Sequence, residues 1–427
     1  MSKLIFLKSF GCQMNVYDTN RMLDLMKNEG YEETDNIKRS DLIIVNTCSI
    51  REKAKEKLFS ELGKINEARK KDSIVVVAGC VAQIAHDEIR KRIKEVDIII
   101  GATSYHKLPE LVASGGGVKL DFLAEEKFKT LPNTRNIRGI SEFIAVQEGC
   151  DKFCSYCIVP FTRGREVSKG FDAVLDETKI LIDKGVKEVT FLGQNVDNYN
   201  SNGKTLADLI KAVDGLKGIE RIRYMTSYPT QVGLDLIECH RDIEKLMPFI
   251  HLPIQSGSDN VLKLMNRKYT KEIYLDVVKK LRKARTDIAI SSDFIVGFAG
   301  ETDEDFCDTL KLCEEVGFSQ SFSFKYSPRK GTAGEKMAGQ IDEKVKDKRL
   351  KVLQELLNQQ QLNFNKQHEN QTLEVLVESL SNRDDGTYFG KTPYLQTCVI
   401  NGECKIGEIV KVKIEKVGMK AIEGIVV

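Results

Sequence analysis

Long apolar runs are missing from this sequence of 427 residues. No stretch of about 18 consecutive apolar residues is present, which argues against a membrane-spanning helix. The N-terminal run Met1-Ser-Lys-Leu-Ile-Phe-Leu7 has too short an apolar part for a secretory signal peptide and is more typical of a β-strand. We therefore expect a cytoplasmic protein that has no contact with a membrane.

An excess of charge of one sign is also missing. The chain has 65 Lys and Arg against 63 Asp and Glu, a formal net charge of +2. Overall electrostatics therefore does not indicate a nucleic-acid partner, although local basic patches could still bind one. The proportions of hydrophobic and charged residues, 41% and 30%, are ordinary for a globular protein, and the length suits roughly two or three domains.

Cysteine, by contrast, is abundant. Eleven cysteines in a long chain without a signal peptide favour a reducing compartment and metal chemistry over a disulfide framework. Cys150, Cys154 and Cys157 have the spacing Cys-x-x-x-Cys-x-x-Cys in one short loop. A [4Fe-4S] cluster normally takes one cysteine per iron. This loop would therefore leave one iron open to a small molecule, as a catalytic zinc site keeps an open position.

Two alternative roles for these three cysteines stay open. They could be buried core residues, although Asp151, Lys152 and Ser155 make the segment polar where a core segment would be apolar. They could also bind a structural zinc ion. The closest histidine, His106, lies far upstream, however, and no fourth ligand is obvious.

The first part of the chain alternates strands with helices. Nearly continuous apolar runs predict buried strands at 4–7, 42–45, 74–77 and 96–100, with amphipathic helices between them. This alternation predicts an open parallel α/β sheet as an N-terminal domain over residues 1–118.

A second set of three cysteines follows these strands. Cys12, Cys48 and Cys80 each lie just beyond the carboxyl end of a predicted strand. Since those ends share one edge of a parallel sheet, we expect the three thiols to converge there. The alternative is three unrelated buried cysteines, because free cysteine is among the most buried residue types. A second cluster with three protein ligands is the sharper hypothesis.

The rest of the chain predicts two further domains. The glycine-rich stretch 112–134 is typical of a surface connection. Six strand–helix units within 136–366 predict a partial (β/α)6 TIM-type barrel, open at the side, with its functional groups at the carboxyl ends of the strands. Residues 367–427 contain short strands punctuated by glycines, which favours a small antiparallel β-barrel.

This order of domains resembles the radical S-adenosylmethionine (SAM) methylthiotransferases, and the resemblance covers nearly the whole chain. That family joins a three-cysteine domain, a radical SAM barrel and a small TRAM barrel. The segments 11–15, 157–166, 251–258 and 265–270 resemble its MiaB-type branch. MiaB-type enzymes convert N6-isopentenyladenosine, next to the anticodon of tRNA, into its 2-methylthio derivative. The RimO-type branch, which methylthiolates an aspartate of a ribosomal protein, is the alternative.

The resemblance implies two [4Fe-4S] clusters and SAM as cofactors. Cys150, Cys154 and Cys157 would hold the catalytic cluster, and the other three cysteines an auxiliary cluster that carries or donates sulfur. Besides tRNA, the implied partners are a sulfur donor and an electron-donor protein such as a flavodoxin or ferredoxin. Candidate SAM contacts, which could equally be turn or packing residues, are Phe153, Tyr156, Gly193, Gln194, Asn195, Ser227, Gln255, Arg267, Val296 and Phe298.

Contacts with tRNA are predicted from residue type alone. Arg163 and Arg165 follow the cluster loop and could meet phosphates, or simply form a solvated face. Tyr388, Phe389 and Tyr394 could stack on unpaired bases, or pack in the small barrel. The last 61 residues hold seven Lys or Arg against nine Asp or Glu, a balance that keeps a protein substrate as the alternative.

Overall fold

The computed structural model of the protein describes residues 2–49, 53–381 and 386–427. Its first unit is a sheet flanked by helices. In chain order this unit contains β1 (Lys3–Phe10), α1 (Gln13–Asn28), β2 (Tyr31–Glu33), β3 (Leu42–Thr47), α2 (Lys53–Ala68), β4 (Ile74–Gly79), α3 (Cys80–Arg92), β5 (Ile98–Ile100), α4 (Leu108–Ala113) and β6 (Gly117–Lys119).

All six strands of this sheet are parallel, in the order β2-β1-β3-β4-β5-β6. Every residue of β3 is buried, which accounts for the continuous apolar run of its first four residues. Separate apolar cores cover the two faces of the sheet. The three strands that precede cysteines end in register, because Phe10 pairs with Thr47 and Thr47 pairs with Gly79.

The glycine-rich stretch differs from the surface connection that we expected. Gly117–Lys119 forms β6, which pairs with β5 and extends the sheet. Gly115, Gly116 and Gly117 have φ of 79°, 158° and 146°, values that side chains with a β-carbon rarely adopt. The glycines therefore allow the chain to turn from α4 straight into an edge strand, a role that apolar periodicity does not reveal.

The second unit begins after α5 (Ala124–Thr130). Its elements are β7 (Ser141–Ala145), β8 (Gln147–Glu148), α6 (Val159–Arg163), β9 (Val167–Ser168), α7 (Phe171–Asp183), β10 (Glu188–Leu192), β11 (Asn200–Ser201), β12 (Lys204–Thr205), α8 (Leu206–Asp214), β13 (Arg221–Met225), α9 (Leu234–Asp242), β14 (Phe249–His251), α10 (Asp259–Leu264), α11 (Lys271–Ala284), β15 (Ala289–Val296), α12 (Asp303–Val316), β16 (Gln320–Lys325) and α13 (Glu343–Lys366).

Six parallel strands of this unit form the partial barrel that the sequence predicts. They are hydrogen-bonded in two sets, β7-β10-β13 and β14-β15-β16. The sets meet where the N–H of Ser227 donates to the carbonyl of His251 and where Ile222 bridges Leu246. The largest apolar core of the protein packs the helices against these strands.

The third unit is a closed five-stranded barrel in the order β17-β18-β19-β21-β20. Its strands are β17 (Thr372–Leu380), β18 (Tyr388–Lys391), β19 (Thr397–Asn401), β20 (Ile409–Val417) and β21 (Ile422–Val426). Four of its strand pairs are antiparallel as expected, whereas β19 and β21 pair in parallel and close the barrel. Within the described residues, no helix has both the length and the apolar character needed to cross a bilayer.

Two buried arginines fasten the small barrel to the second unit. Arg221 and Arg223 are both 2% exposed and donate to backbone carbonyls of residues 374 and 391–393 over 2.7–3.0 Å. Arg223 also forms a buried ion pair with Glu188, with Nε 2.9 Å from Oε2. The two units are therefore joined by charged side chains that have no access to water.

Replacing Arg223 by methionine tests this junction. The R223M variant leaves Glu188 buried without its partner, so we expect the free energy of unfolding to fall by about 3–5 kcal/mol, measured by urea denaturation with circular dichroism. The matched control is R241M, which removes an exposed arginine that pairs with Asp242 and should have a far smaller effect. Equal losses in the two variants would contradict the buried junction.

Candidate active site

The first three cysteines converge at the carboxyl edge of the six-stranded sheet. Cys12 is the N-cap of α1, Cys80 is the first residue of α3, and Cys48 directly follows β3. A β-carbon on Gly11 would lie only 2.2 Å from the β-carbon of Cys48, and Gly11 has a φ of +133°. Only glycine fits this close approach of two loops without strain.

Buried asparagines hold the same loops in place. Asn15 Nδ2 donates to Asn46 Oδ1 over 3.1 Å, and Asn46 Nδ2 donates to the backbone carbonyl of Asn15 over 3.0 Å. The thiol of Cys12 lies 3.1 Å from Asn15 Oδ1 and donates to it. Neither asparagine was among the residues that the sequence predicted. The available signal was a polar residue within three positions of a cysteine, at a place where the fold is buried.

The thiols of this group differ in their pKa values. The pKa of Cys12 is lowered to about 6, mainly by a hydrogen bond from Cys48. Burial raises this pKa in part, and the positive charge of Arg163 lowers it further. Burial raises the pKa of Cys80, against the charge and hydrogen bond of Arg163. Because the thiolate is the nucleophilic and metal-binding form of cysteine, this lowered pKa favours that form at Cys12.

Cys150, Cys154 and Cys157 lie on the loop between β8 and α6. The N–H of Cys157 donates to the carbonyl of Cys154 over 2.9 Å, and the N–H of Cys150 to the carbonyl of Gly164 over 3.2 Å. Burial, reinforced by the neighbouring thiols, raises the pKa values of Cys150 and Cys157 to about 12. The charges of Cys150 and Cys154 act on the Cys157 thiol, so these three cysteines lie near one another. Among the described residues, no group of three or more Cys, His, Asp or Glu is placed to hold a single metal ion.

The candidate SAM contacts lie at the same end of the partial barrel as Cys150. Gly193, Gln194 and Asn195 directly follow β10. The side chain of Gln147 accepts from the N–H groups of Gln194 and Asn195 over 2.9 and 3.2 Å. Gln194 Oε1 in turn accepts from the N–H of Gly149 over 2.6 Å. The turn after β10 is therefore fastened to the loop that carries the cysteines.

Buried polar atoms without partners lie among these residues. Asn195 Oδ1, Ser227 Oγ and Asp197 Oδ1 are buried and have no hydrogen-bond partner in the described structure. Burial also raises the pKa of Asp197 to about 8. An unsatisfied buried polar atom costs about 1–3 kcal/mol, so these atoms fit a polar ligand such as SAM. Asp197 was not among the residues that the sequence predicted.

Arg267 is held rigidly beside the second cysteine set. Its Nη1 lies 3.6 Å from Cys154 Sγ, its Nε donates to Tyr269 Oη over 2.6 Å, and its guanidinium lies 4.5 Å from the ring centre of Tyr228. Gln255 has a φ of +79° and pairs with Phe294, which places it at the end of the barrel.

The aromatic candidates and Val296 have different surroundings. Phe153 is 45% exposed and lies beneath the guanidinium of Arg165, whereas Tyr156 is half-buried and packs beside Phe298. Val296 and Phe298 are buried, and Phe298 contacts the ring of Tyr326 edge to face. The burial of Val296 and Phe298 fits a packing role, which is the alternative that the sequence left open for them.

Arg163 corrects one prediction about tRNA. Its side chain is 3% exposed and forms ion pairs with Asp18 and Glu148, so it does not lie where phosphates can reach it. Arg165, in contrast, is exposed and forms an ion pair with Asp151 over 2.5 Å. Sequence reasoning cannot distinguish two arginines that stand two positions apart on opposite sides of a turn.

A cavity of about 330 Å³ lies inside the partial barrel, where the first residues of β7, β10, β14 and β16 line it. Gln13, next to Cys12, lines it together with Phe143, Met225 and Phe322 from the barrel strands. Tyr394 also lines it, whereas the half-buried Tyr388 packs against the core of the small barrel. Phe389 is half-buried on β18. The lining thus runs from Gln13 in the first unit through the interior of the barrel to the third unit.

Comparisons with known proteins agree with this architecture. The Uncharacterized protein family UPF0004 matches residues 4–101, the Radical SAM superfamily 144–313 and the TRAM domain 366–427. The solved structure of the radical SAM methyltransferase TsrM from Kitasatospora setae has a TM-score of 0.57 at 14% identity and covers 76% of this chain and 75% of that one. The family match gives the chain a radical SAM domain, and the solved structure shows the same fold.

Closer relatives define the family. A tRNA-2-methylthio-N(6)-dimethylallyladenosine synthase from Rickettsia bellii (strain RML369-C) is 48% identical over 443 residues, which covers 99% of both chains. A protein of the same name from Zymomonas mobilis is 46% identical and covers 99% of this chain and 96% of that one. The chain belongs to the tRNA-2-methylthio-N(6)-dimethylallyladenosine synthase family, which confirms the resemblance read from the sequence.

The pKa contrast between the thiols predicts selective alkylation of the cluster-free protein. At pH 7 Cys12 is mostly thiolate, whereas Cys150 and Cys157 are almost fully protonated. After allowance for the weaker nucleophilicity of a low-pKa thiolate, iodoacetamide should modify Cys12 on the order of 100-fold faster.

Peptide mass spectrometry between pH 5 and 10 measures these rates. The rate at Cys12 should rise with an inflection near pH 6, and C48A should move that inflection to higher pH because alanine has no hydrogen-bond donor and so removes the main cause of the shift. An inflection at the pH of an ordinary thiol in the unsubstituted protein would show that the first cysteine set is not arranged as described.

Proposed function

We propose that this protein is a MiaB-type methylthiotransferase that adds a methylthio group to C2 of N6-isopentenyladenosine next to the anticodon of tRNA. Two [4Fe-4S] clusters and SAM are its cofactors. The convergence of two separate cysteine triads is the observation that carries this proposal. The relatives at 46–48% identity bear the tRNA-modifying name, so the ribosomal-protein alternative is not favoured.

The two triads have distinct tasks in this proposal. Cys150, Cys154 and Cys157 would hold the radical SAM cluster, and Cys12, Cys48 and Cys80 the auxiliary cluster. When bound, the two clusters supply the electron that cleaves SAM and the sulfur that is transferred, chemistry for which protein side chains have no equivalent. Thiolates suit both sites because soft ligands favour iron–sulfur centres.

The other residues of the chain bind and orient. Asn195, Ser227 and Asp197 offer buried polar atoms that SAM can satisfy, at the end of the barrel where Cys150 lies. Arg267 fixes the position of Cys154 through its contact with the sulfur. Burial of these groups removes competing water, which strengthens each polar contact with the bound ligand.

Contacts with tRNA are proposed at two groups. Arg165 is exposed beside the loop that carries Cys150 and could contact the backbone of the anticodon loop. Tyr394 on the third unit could stack on an unpaired base. We further propose a cytoplasmic location, a flavodoxin or ferredoxin as electron donor, and a separate sulfur donor.

Separate removal of each triad tests the proposal. The variant C150S/C154S/C157S should lose both SAM cleavage and methylthiolation. The variant C12S/C48S/C80S should still cleave SAM to 5′-deoxyadenosine, because the radical SAM site is intact, yet form no methylthio nucleoside. Nucleoside mass spectrometry of tRNA incubated with the reconstituted protein, with quantified 5′-deoxyadenosine, measures both activities.

A matched control for these variants is C307S, which replaces an exposed cysteine outside both triads. It should keep both activities. Methylthiolation at the unaltered rate by C12S/C48S/C80S would refute the auxiliary site. Absence of the methylthio nucleoside with the unsubstituted protein would refute the proposed substrate.

Ser227 provides a test of the SAM site. The S227A variant removes a buried hydroxyl that has no protein partner, so it should weaken SAM binding about tenfold. S319A is the control, since Ser319 lies at the opposite end of the barrel and its hydroxyl already donates to Ile290 over 3.0 Å. Equilibrium dialysis of reconstituted protein gives both constants. An unchanged constant for S227A would remove Ser227 from the site.

A further inference from the structure

Four phenylalanines among the described residues are 42–51% exposed, and three of them lie around one turn of the chain. These three are Phe122 after β6, Phe153 in the cysteine loop and Phe161 on α6. Single exposed apolar side chains are common on protein surfaces, whereas a group of exposed aromatic rings marks an interaction site. We call these three residues the aromatic rim.

Gly164 and Arg165, which follow α6, connect the three rings. A β-carbon on Gly164 would lie 3.0 Å from Cδ1 of Phe122, so this ring lies against the glycine backbone. The guanidinium of Arg165 lies 5.7 Å from the ring centre of Phe153. Phe161 stands three residues before Gly164, which caps the same short helix. The rim is therefore one surface with a cation in it.

The backbone holds Phe153 in a strained conformation. Its φ of +48° is uncommon for a residue with a bulky side chain. The side chain of Asn266 donates to the carbonyl of Phe153 over 2.9 Å and fixes this conformation. Strained residues that are held by their surroundings occur preferentially at functional sites. The exposed position of this ring is thus built into the cysteine loop.

The rim lies beside both cysteine triads. Phe153 directly precedes Cys154, and α6, which carries Phe161, packs against α3. Cys80 is the first residue of α3, and Ile84, four residues later, is exposed as well. In the proposed function, the base that receives the methylthio group must approach both clusters, so its RNA has to meet this surface. A protein that delivers electrons has no such requirement.

Aromatic rings beside an arginine suit single-stranded RNA. Unpaired bases stack on phenylalanine rings and on guanidinium planes, and every base offers a face for this contact. Arg165 pairs with Asp151 in an exposed ion pair, which is weak enough to be exchanged for a phosphate.

We propose that the aromatic rim stacks on unpaired bases of the anticodon loop beside the modified adenosine, while Arg165 contacts the adjoining phosphate. The inference rests on the proposed function and adds the residues that hold the RNA next to the clusters. Phe153 contacts the RNA in this arrangement instead of SAM.

Binding of an anticodon stem–loop RNA that carries N6-isopentenyladenosine tests the inference. In fluorescence anisotropy with reconstituted full-length protein, F122A and F161A should each weaken the affinity about tenfold, because each removes one base stack. F161L keeps an apolar side chain without a ring and should weaken it equally, whereas F161Y should bind like the unsubstituted protein. The matched control is V352A, which shortens an exposed apolar side chain on α13 and should not change the affinity.

Iron content and the 5′-deoxyadenosine formed without RNA should stay unaltered in every variant, which separates loss of stacking from loss of folding. Unaltered RNA affinity in both F122A and F161A, or in F161L, would overturn the inference. Unaltered RNA affinity with slower reduction of the clusters by a flavodoxin would also overturn it and would identify a protein-binding surface. Unsubstituted protein that binds the stem–loop but forms no methylthio nucleoside would instead refute the proposed function.

Discussion

A buried charged group joins the two α/β units, and the placement of both cysteine triads depends on it. Asp18, Lys127, Glu148 and Arg163 have side chains that are at most 3% exposed. Loss of any one charge would leave a partner unpaired away from water, at a cost of several kcal/mol. These ion pairs therefore hold the loop that ends at Cys157 against the helix that begins after Cys12, and they do so without any bound cofactor.

Parallel strands explain why the first triad converges, whereas the second lies on a single loop. In both α/β units the cysteines or ligand-binding candidates follow strand ends that share one edge, so residues far apart in sequence meet in space. The register of β1, β3 and β4 and the close approach at Gly11 then bring Cys12 and Cys48 together. At the second edge Ser227 Oγ is buried and has no hydrogen-bond partner among the described residues.

The sequence predicted what local patterns encode. Apolar runs located β3 and β4, and the rule of shared strand ends brought Cys12, Cys48 and Cys80 together. The sequence could not predict the ion pair of Arg163 with Asp18. The two residues are 145 positions apart, and neither stands in a local pattern that indicates the other. The parallel pairing of β19 with β21 was hidden for the same reason, since strand pattern does not identify the partner strand.

Iron counting with Mössbauer spectroscopy is the most direct test of two independent triads. Protein reconstituted with 57Fe should contain about eight irons, all in [4Fe-4S] clusters, and loss of either triad should leave about four. SAM should alter the spectrum of the chain that keeps only Cys150, Cys154 and Cys157. A total of one cluster in the unsubstituted protein, or the loss of all iron when one triad is removed, would contradict this account.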